Sequence, residues 1–385
     1  MSWIETTIGQ LGKVVTGKTP PTKNRAMYDG EYMFVTPTDL DWQSYYVRNT
    51  HSTVTELARD GHKNQFIPAE TTVFTCIGNT IGKCGLTSGA CLSNQQINSV
   101  VPNADHDSKF VYYLLNHNRP KIRSIGLSGG SAQPIINKST FSAVKVTVPD
   151  SKVEQKRIAS VLSAYDDLIE NNRRRIALLE EAARLIYREW FVHLRFPGHE
   201  HVKIIDGVPE GWKRKPISEI WSISYGKNLP TAKITEEGEY PVHGADGIIG
   251  YYSAKNVDEN LCLVTCRGNG SGNVRRTFGP TFVTNNCFVF RPLHMPRELS
   301  FHFAINTMTQ LNLRDLRTGA AQPQLTLAGI SHVQALVPNS QLLSGYNALV
   351  DPIFEQADNL RKQNAQLAKA RDLLLPRLMD GRLEI

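Results

Sequence analysis

In two stretches of the chain, apolar residues recur at intervals of seven. The first lies within residues 152–195, which are nearly free of glycine and proline, and the second lies within residues 341–385. A heptad repeat keeps one apolar seam on one side of a helix, so another helix must cover it. At about 40 residues, each helix would be roughly 60 Å long. The seam positions that we single out are Ile158, Leu168, Ile176, Leu179, Trp190, Ile353, Leu360, Leu367 and Leu374.

The segments before these helices have a different pattern. Short β-rich runs alternate with turns of glycine, asparagine and proline, as at 72–77 and 261–266. Each segment ends on alternating apolar residues, at 144–148 and at 333–337, which predicts a closing strand. We therefore predict α+β domains.

The two mixed segments are copies of each other. At an offset of 209, Gly17-Lys18 meets Gly226-Lys227; at 190, Gly78-Asn79 meets Gly268-Asn269; at 189, Ala132-Gln133-Pro134 meets Ala321-Gln322-Pro323. The offset falls once by 19, so the first copy holds an extra loop between Thr22 and Gly78. A fixed internal period indicates repeated structural units.

The repeat sets the predicted domain organisation. The domains are 1–150 and 201–340, and the spacer helices are 151–200 and 341–385. A pseudo-twofold relation between the copies makes the helices antiparallel and the molecule a dumbbell. The alternative is that each helix packs only on its own domain.

Composition narrows the function. Each predicted domain carries 14 basic and 11 acidic residues, and together they hold nearly all of the net charge of +7. This balance favours polyanionic partners. No secretory signal or membrane-length apolar run is visible, so we expect a cytoplasmic protein. The six cysteines lack zinc-ligand spacing, and we expect reduced core thiols and no metal.

Two motifs invite a nucleotide-binding interpretation that their contexts exclude. Residues 12–19 fit the phosphate-binding pattern G-x-x-x-x-G-K-[ST], but Pro20 and Pro21 follow at once and disfavour the helix that this loop needs. The second copy has Trp221 where Gly12 stands. Residues 268–272 lack the last glycine of a dinucleotide fingerprint. No catalytic constellation emerges, and we predict a chain that is not an enzyme.

A set of short motifs is distributed along the whole chain. These motifs are Gly17-Lys-Thr-Pro20, Tyr28-Asp-Gly30, Thr36-Pro-Thr-Asp39, Asp206-Gly-Val-Pro-Glu-Gly-Trp212, Tyr240-Pro-Val-His-Gly244, Gly247-Ile-Ile-Gly250, Ala321-Gln-Pro323, Leu185-Ile-Tyr-Arg-Glu-Trp-Phe191 and Arg371-Asp-Leu-Leu-Leu-Pro-Arg377. In these motifs and their order the chain resembles the specificity subunit of type I restriction–modification systems over essentially all 385 residues.

The resemblance implies two target-recognition domains, each reading one half of a split, asymmetric DNA sequence. It implies two modification subunits that methylate adenine, and restriction subunits that translocate and cleave. S-adenosylmethionine, ATP and magnesium would then be bound by those partners and not by this chain. The helices would space the half-sites and dock the modification subunits.

Candidate DNA contacts follow from residue chemistry, because lysine and arginine bind phosphates while loop side chains read base edges. The phosphate candidates are Lys18, Lys83, Arg123, Lys227, Arg275 and Arg276. The base-reading candidates are Asn79, Gln133, Arg267, Asn269, Asn273 and Gln322. Each could instead be a solvated or turn-forming residue. The Ala-Gln-Pro motif could be structural, since both copies keep it although they should read different sequences.

Two alternatives stay open. The specificity subunit of a bifunctional cleaving methyltransferase would have a similar sequence. A protein of a different class, a coiled-coil tether that binds protein partners, would lack salt-dependent DNA affinity.

Overall fold

The computed structural model describes residues 2–43, 45–128, 134–293, 300–319 and 322–385. The chain divides into two compact units. The first holds Met1–Arg173 and Arg361–Ile385, and the second holds Arg174–Leu360. The boundary therefore falls inside both long helices, and each unit contains one mixed domain with a stretch of each helix.

The elements of the first domain lead into the first long helix. They are β1 (Trp3–Thr7), α1 (Ile8–Leu11), β2 (Gly12–Thr16), β3 (Tyr28–Val35), β4 (Tyr46–Val47), β5 (Ser52–Val54), α2 (Glu56–Gly61), β6 (Thr72–Thr75), β7 (Cys84–Thr87), β8 (Cys91–Ser93), β9 (Ile97–Pro102), α3 (Ser108–His117), α4 (Arg119–Leu127), α5 (Lys138–Ser142), β10 (Lys145–Pro149) and α6 (Lys152–Tyr187).

The second domain repeats this order and leads into the second long helix. Its elements are β11 (Ile204–Ile205), β12 (Val208–Pro209), β13 (Lys213–Pro216), α7 (Ile217–Ile220), β14 (Trp221–Tyr225), β15 (Tyr240–Gly244), β16 (Gly247–Tyr252), β17 (Cys262–Thr265), β18 (Val274–Arg276), β19 (Phe282–Val283), β20 (Cys287–Pro292), α8 (Phe301–Gln310), α9 (Leu327–Ser331), β21 (Gln334–Val337) and α10 (Ser340–Met379). Short 3-10 turns lie at Arg25–Met27, Pro37–Asp39, Gly78–Thr80, His199–His201, Thr231–Lys233 and Leu313–Leu316, and a π-helical turn lies at Arg188–Val192.

The sheet topology of the two domains corresponds except for β4 in the first and the β11–β12 pair in the second. The first domain has sheets in the order β2-β9-β6-β7-β4 and β5-β3-β8, and the second has β14-β20-β17-β18 and β16-β15-β19. In each domain the first strand pairs antiparallel with the last, β1 with β10 and β13 with β21. The predicted closing strands and the α+β class are confirmed. The additional strand β4 belongs to the segment by which the first copy is longer.

A small helix fixes each closure in the same way. The amide of Ile8, which opens α1, donates to the Val144 carbonyl at 3.0 Å. Its counterpart Ile217, which opens α7, donates to the Val333 carbonyl at 2.8 Å. Both isoleucines are fully buried, so the small helix plugs one end of each domain core.

The long helices pack antiparallel on each other within each unit. In the first unit the Asn172 side-chain amide donates to Asn364 Oδ1 at 2.9 Å, and in the second unit Ile176 and Leu360 share a buried cluster. The helices also cover the domain cores. Ile158 is buried in the first, Leu374 packs against it, and Trp190 and Ile353 pack against the second.

One predicted seam residue is wrong. Leu168 is 51% exposed, whereas its neighbour Ile169 is buried. The buried positions of α6 from 158 to 176 are 158, 159, 162, 163, 166, 169, 172 and 176, so the inward-facing residues on either side of Leu168 are Asp166 and Ile169. Leu179 packs against the Ile176–Leu360 cluster, and Leu367 is half-buried.

Candidate nucleic-acid interface

The Gly-Lys loop of each domain begins directly after a strand, at Gly17 after β2 and at Gly226 after β14, and its glycine lies close to the backbone of a neighbouring turn. A side chain on Gly17 would place its Cβ 2.2 Å from the Asn94 carbonyl oxygen, and at Gly226 the equivalent distance to a carbonyl oxygen is 2.3 Å. Only glycine allows this approach. The lysines that follow, Lys18 and Lys227, are exposed. The close packing of the glycine thus presents a lysine at the surface in both copies.

The Gly-Lys loop is not a phosphate-binding loop of the nucleotide-hydrolysing kind. Residues 12–16 form β2, and residues 17–21 have no helical structure. The helix whose amides would bind phosphates is absent from this described part of the chain. This agrees with the interpretation of the two prolines.

A glycine-rich connection lies at the same edge of each domain. We call these connections the glycine loops, residues 77–83 and 267–273. The amide of Gly78 donates to the Pro134 carbonyl at 2.7 Å, and that of Gly268 donates to the Pro323 carbonyl at 3.0 Å. The proline of the Ala-Gln-Pro motif therefore holds the glycine loop in both copies, which supports a structural role for that residue.

A polar turn joins the two loops. In the first domain the turn at 94–96 touches Gly17 and also accepts a hydrogen bond from Cys76, whose amide donates to the Gln96 carbonyl at 2.8 Å. In the second domain the amide of Cys266 donates to the Asn286 carbonyl at 2.8 Å. Lys18 and Asn79, 61 residues apart in the sequence, thus lie on loops that flank one turn. The polar residues of this turn were not identified from the sequence, although it recurs at the offset of 190.

Most of the predicted DNA-contacting residues that the structure describes are accessible. The exposed ones are Lys18, Asn79, Arg123, Lys227, Arg267, Asn269 and Gln322, and the half-buried ones are Lys83, Asn273 and Arg275. Gln133 lies outside the described residues.

Arg276 does not fit the predicted phosphate contact. It is 7% exposed, and its Nη2 pairs with Asp358 on α10 at 2.5 Å and lies 3.9 Å from Glu180 on α6. The guanidinium also lies over the rings of Phe278 and Phe354, at 4.3 and 5.2 Å from their centroids. The residue attaches the edge strand β18 to both helices.

The first domain makes the equivalent attachment from a different strand. Arg48, next to β4, pairs with Glu170 on α6 at 3.3 Å, and Glu170 occupies the position in α6 that Asp358 occupies in α10. Carboxylates at equivalent positions of the two helices thus pair with an arginine that follows β4 in one domain and with one on β18 in the other.

Two further arginines lie beside the glycine loops and were missed by the sequence analysis. A side chain on Gly82 would meet Arg119 Cγ at 2.7 Å, and one on Gly272 would meet Arg314 Cγ at 2.6 Å. Arg119 donates to the Trp42 carbonyl at 3.1 Å, and Arg314 donates to the Asn273 side chain. Their spacing in the two copies differs, so the repeat offset alone does not reveal them.

Arg123 and Arg275 are positioned by neighbouring groups. The Arg123 guanidinium lies 5.3 Å from the ring centroid of Trp42, and Arg275 donates to the Ala245 carbonyl at 3.1 Å. Burial, and secondarily the charge of Arg275, lowers the pKa of His243 to about 4. His243 is therefore neutral near pH 7 and adds no positive charge to this surface.

The described residues provide no metal centre. Among them no group of three or more His, Cys, Asp or Glu side chains is arranged to hold a metal ion. All six cysteines are described, and each is a buried free thiol. None of the described helices combines the length and apolar character that crossing a bilayer would require.

Comparison with known proteins places this arrangement in a family. Residues 2–181 and 209–341 match the type I restriction modification DNA specificity domain. The chain belongs to this family. The matched regions contain both sets of loops described above, and the resemblance predicted from the sequence is confirmed. The description of the family is of DNA specificity, which agrees with the prediction of a DNA-recognition subunit and not an enzyme.

Individual relatives agree with the family. The specificity subunit of the MjaIX type I restriction enzyme of Methanocaldococcus jannaschii is 27% identical over 100% of this chain and 94% of its own length. That of the HindI enzyme of Haemophilus influenzae is 28% identical over 44% of this chain and 38% of its own. The crystal structure of a type I restriction–modification S subunit from M. genitalium has a TM-score of 0.57 at 19% identity, covering 98% of this chain and 96% of that one. This last likeness supports the fold.

Proposed function

We propose that this chain recognises a bipartite, asymmetric DNA target, one half with each domain. The observation that carries the proposal is the duplicated edge at which a Gly-Lys loop, a polar turn and a glycine loop meet. The backbone framework is the same in both domains, but the accessible residues, exposed or half-buried, differ. Arg267 stands where the first domain has Ile77, and Asn273 where it has Lys83. One framework with two sets of side chains suits the reading of two different half-sites.

The division of labour within each edge follows from side-chain chemistry. The exposed lysines Lys18 and Lys227 would contact phosphates and position each domain on the duplex. Asn79, Arg267 and Asn269 carry donors that would reach base edges in the major groove. Arg276 has no part in this, because it is buried against the helices.

We further propose that the helices dock two modification subunits that methylate adenine with S-adenosylmethionine. In a complete complex, restriction subunits would add translocation driven by ATP with magnesium, and DNA cleavage. The membership of the family and the names of the relatives support this assignment. Such a chain would act in the cytoplasm, where the DNA and these partners are found.

Binding of the purified chain to duplex DNA tests the proposal against a protein-binding tether. Neutralising phosphates releases counterions, so the logarithm of the affinity should fall linearly with the logarithm of the salt concentration. A random pool of duplexes should yield two short conserved elements separated by a gap of fixed length. Absence of salt-dependent binding, with modification subunits also present, would favour the tether.

A further inference from the structure

The helix pair of the first unit contains a buried ion pair. Arg371 Nη1 on α10 donates to Asp166 Oδ1 on α6, and the hydroxyl of Tyr113 donates to Asp166 Oδ2 at 2.6 Å. Asp166 is 2% exposed and Arg371 is 6% exposed. Such a pair strongly resists removal of either partner, because the remaining charge would be buried alone.

A second polar layer lies at Asn172, less than two turns further along α6. The side chains of Asn172 and Asn364 are joined at 2.9 Å, and Asn364 Nδ2 also lies 3.3 Å from the Ile169 carbonyl oxygen. Asn172 is buried. An asparagine in a helix seam specifies its partner and register, because an opposing apolar residue would leave its amide without a hydrogen bond.

The second unit has apolar residues at the equivalent positions. The seam of α6 recurs in α10 at an offset of 188, which relates Asp166 to Phe354, Asn172 to Leu360, Ile176 to Asn364 and Ala183 to Arg371. Ala183 and Phe354 are buried in the second-domain core, and Ile176 and Leu360 share one cluster. The pseudosymmetry of the helix pair is therefore broken at two layers, polar in one unit and apolar in the other.

This asymmetry makes neither helix complementary to a copy of itself. In the same antiparallel register, two copies of α6 would place Asp166 opposite Ala183 and Asn172 opposite Ile176. Because such a pair is twofold symmetric, each mismatch would occur twice. Two copies of α10 would likewise place Arg371 opposite Phe354 and Asn364 opposite Leu360.

We infer that the Asp166–Arg371 and Asn172–Asn364 layers select pairing of α6 with α10 and exclude pairing of either helix with its counterpart in a second copy of the chain. The apolar layers would tolerate both arrangements, since the two copies are related by the repeat. The polar layers discriminate between the two arrangements, because they stabilise the pair of α6 with α10 and destabilise pairs of like helices. The inference concerns the helix seam and does not depend on DNA recognition.

A nicked form of the full chain tests this inference. A protease site inserted between Glu200 and His201, in an exposed stretch, allows the folded protein to be cut into two pieces that each carry one long helix. Two preparations with different isotope labels are mixed, equilibrated in urea and returned to buffer. Native mass spectrometry then counts pairs of unlike pieces and pairs of like pieces. We expect unlike pairs to exceed like pairs on the order of a hundredfold or more.

Moving one polar partner should invert the preference. The combination of Arg371→Ala and Ala183→Arg places the cation opposite Asp166 only when two copies of α6 pair. Like pairs should then predominate. If this variant fails to fold, as circular dichroism would show, the pair Ile176→Asn and Asn364→Ile relocates the amide in the same way with smaller changes of volume.

A matched control removes both polar layers without relocating them. Asp166→Phe, Asn172→Leu, Asn364→Ile and Arg371→Ala copy the apolar layers of the second unit into the first. Unlike and like pairs should then approach their statistical proportions. Free formation of like pairs by the unsubstituted seam, or persistence of unlike pairs alone in the inverted variants, would overturn the inference.

Discussion

Lengthening both long helices by one heptad should widen the gap between the two recognised half-sites. The chain passes from one compact unit to the other within α6 and within α10, so an insertion there leaves both domains intact. Duplicating residues 168–174 and 363–369 adds one further Asn172–Asn364 layer, together with a second copy of Ile169 and of Leu367. Seven residues preserve the seam because they return the apolar face to its place.

The magnitude follows from helix geometry. Seven residues at about 1.5 Å each lengthen a helix by about 10 Å. At about 3.4 Å per base pair this is roughly three base pairs. Three base pairs also turn one half-site about the duplex axis by roughly 100°, taking 10 to 10.5 base pairs per turn. The optimum could therefore shift by one base pair, and affinity should fall.

The assay is the methylation pattern that the variant directs in cells together with its modification subunits. Both half-sites should be unchanged and the gap between them longer by about three. Insertion into α6 alone is the control, because unequal helices cannot keep their layers paired, and activity should be lost. Full activity with an unchanged gap would refute the view that the helices set the spacing.

Three substitutions separate the proposed roles of single residues. Arg267→Ala should relax reading of the second-domain half-site only, by about 1–3 kcal/mol, and competition between variant duplexes measures this; an effect on the other half-site would contradict the assignment of domains. Lys227→Ala should weaken binding to all sequences and reduce the salt slope by about 1, whereas a change of sequence preference would indicate a base contact. Arg276→Ala should lower the free energy of unfolding by about 3 kcal/mol, because Asp358 and the surrounding rings lose their partner. The salt dependence of DNA binding should not change, and a flatter dependence would show that Arg276 contacts a phosphate after all.

The fold could be predicted from the sequence wherever a pattern is local or repeated. The closing strands follow from alternation, and the two domains follow from matches such as Gly17 with Gly226 and Gly78 with Gly268. Strand β4 could not be predicted, because it is two residues long and its partners in β7, Leu86 and Thr87, lie 40 positions away. Its effect is to supply Arg48 to the helix carboxylate, and that contact has no sequence signal.

The errors among single residues have a common physical cause. Arg276 stands beside Arg275 in a basic run, but alternation along β18 directs its side chain to the helices. Asp166 is polar and is therefore absent from the predicted seam, since a buried carboxylate is recognised only with its partner, 205 residues away at Arg371. Patterns of hydrophobicity identify seams but do not identify the polar pairs within them.

The central claim, that each domain reads one half of a split DNA sequence, is tested most directly by the methylated adenines of a host that expresses this chain with its modification subunits. Sequencing that detects the modified base in native DNA should give one motif with two specific elements, unlike each other, and a gap of unspecified bases between them. Exchanging the first domain, residues 1–150, for that of a relative should change one element and leave the other as it was. A single continuous motif, or a motif that does not depend on this chain, would contradict the account.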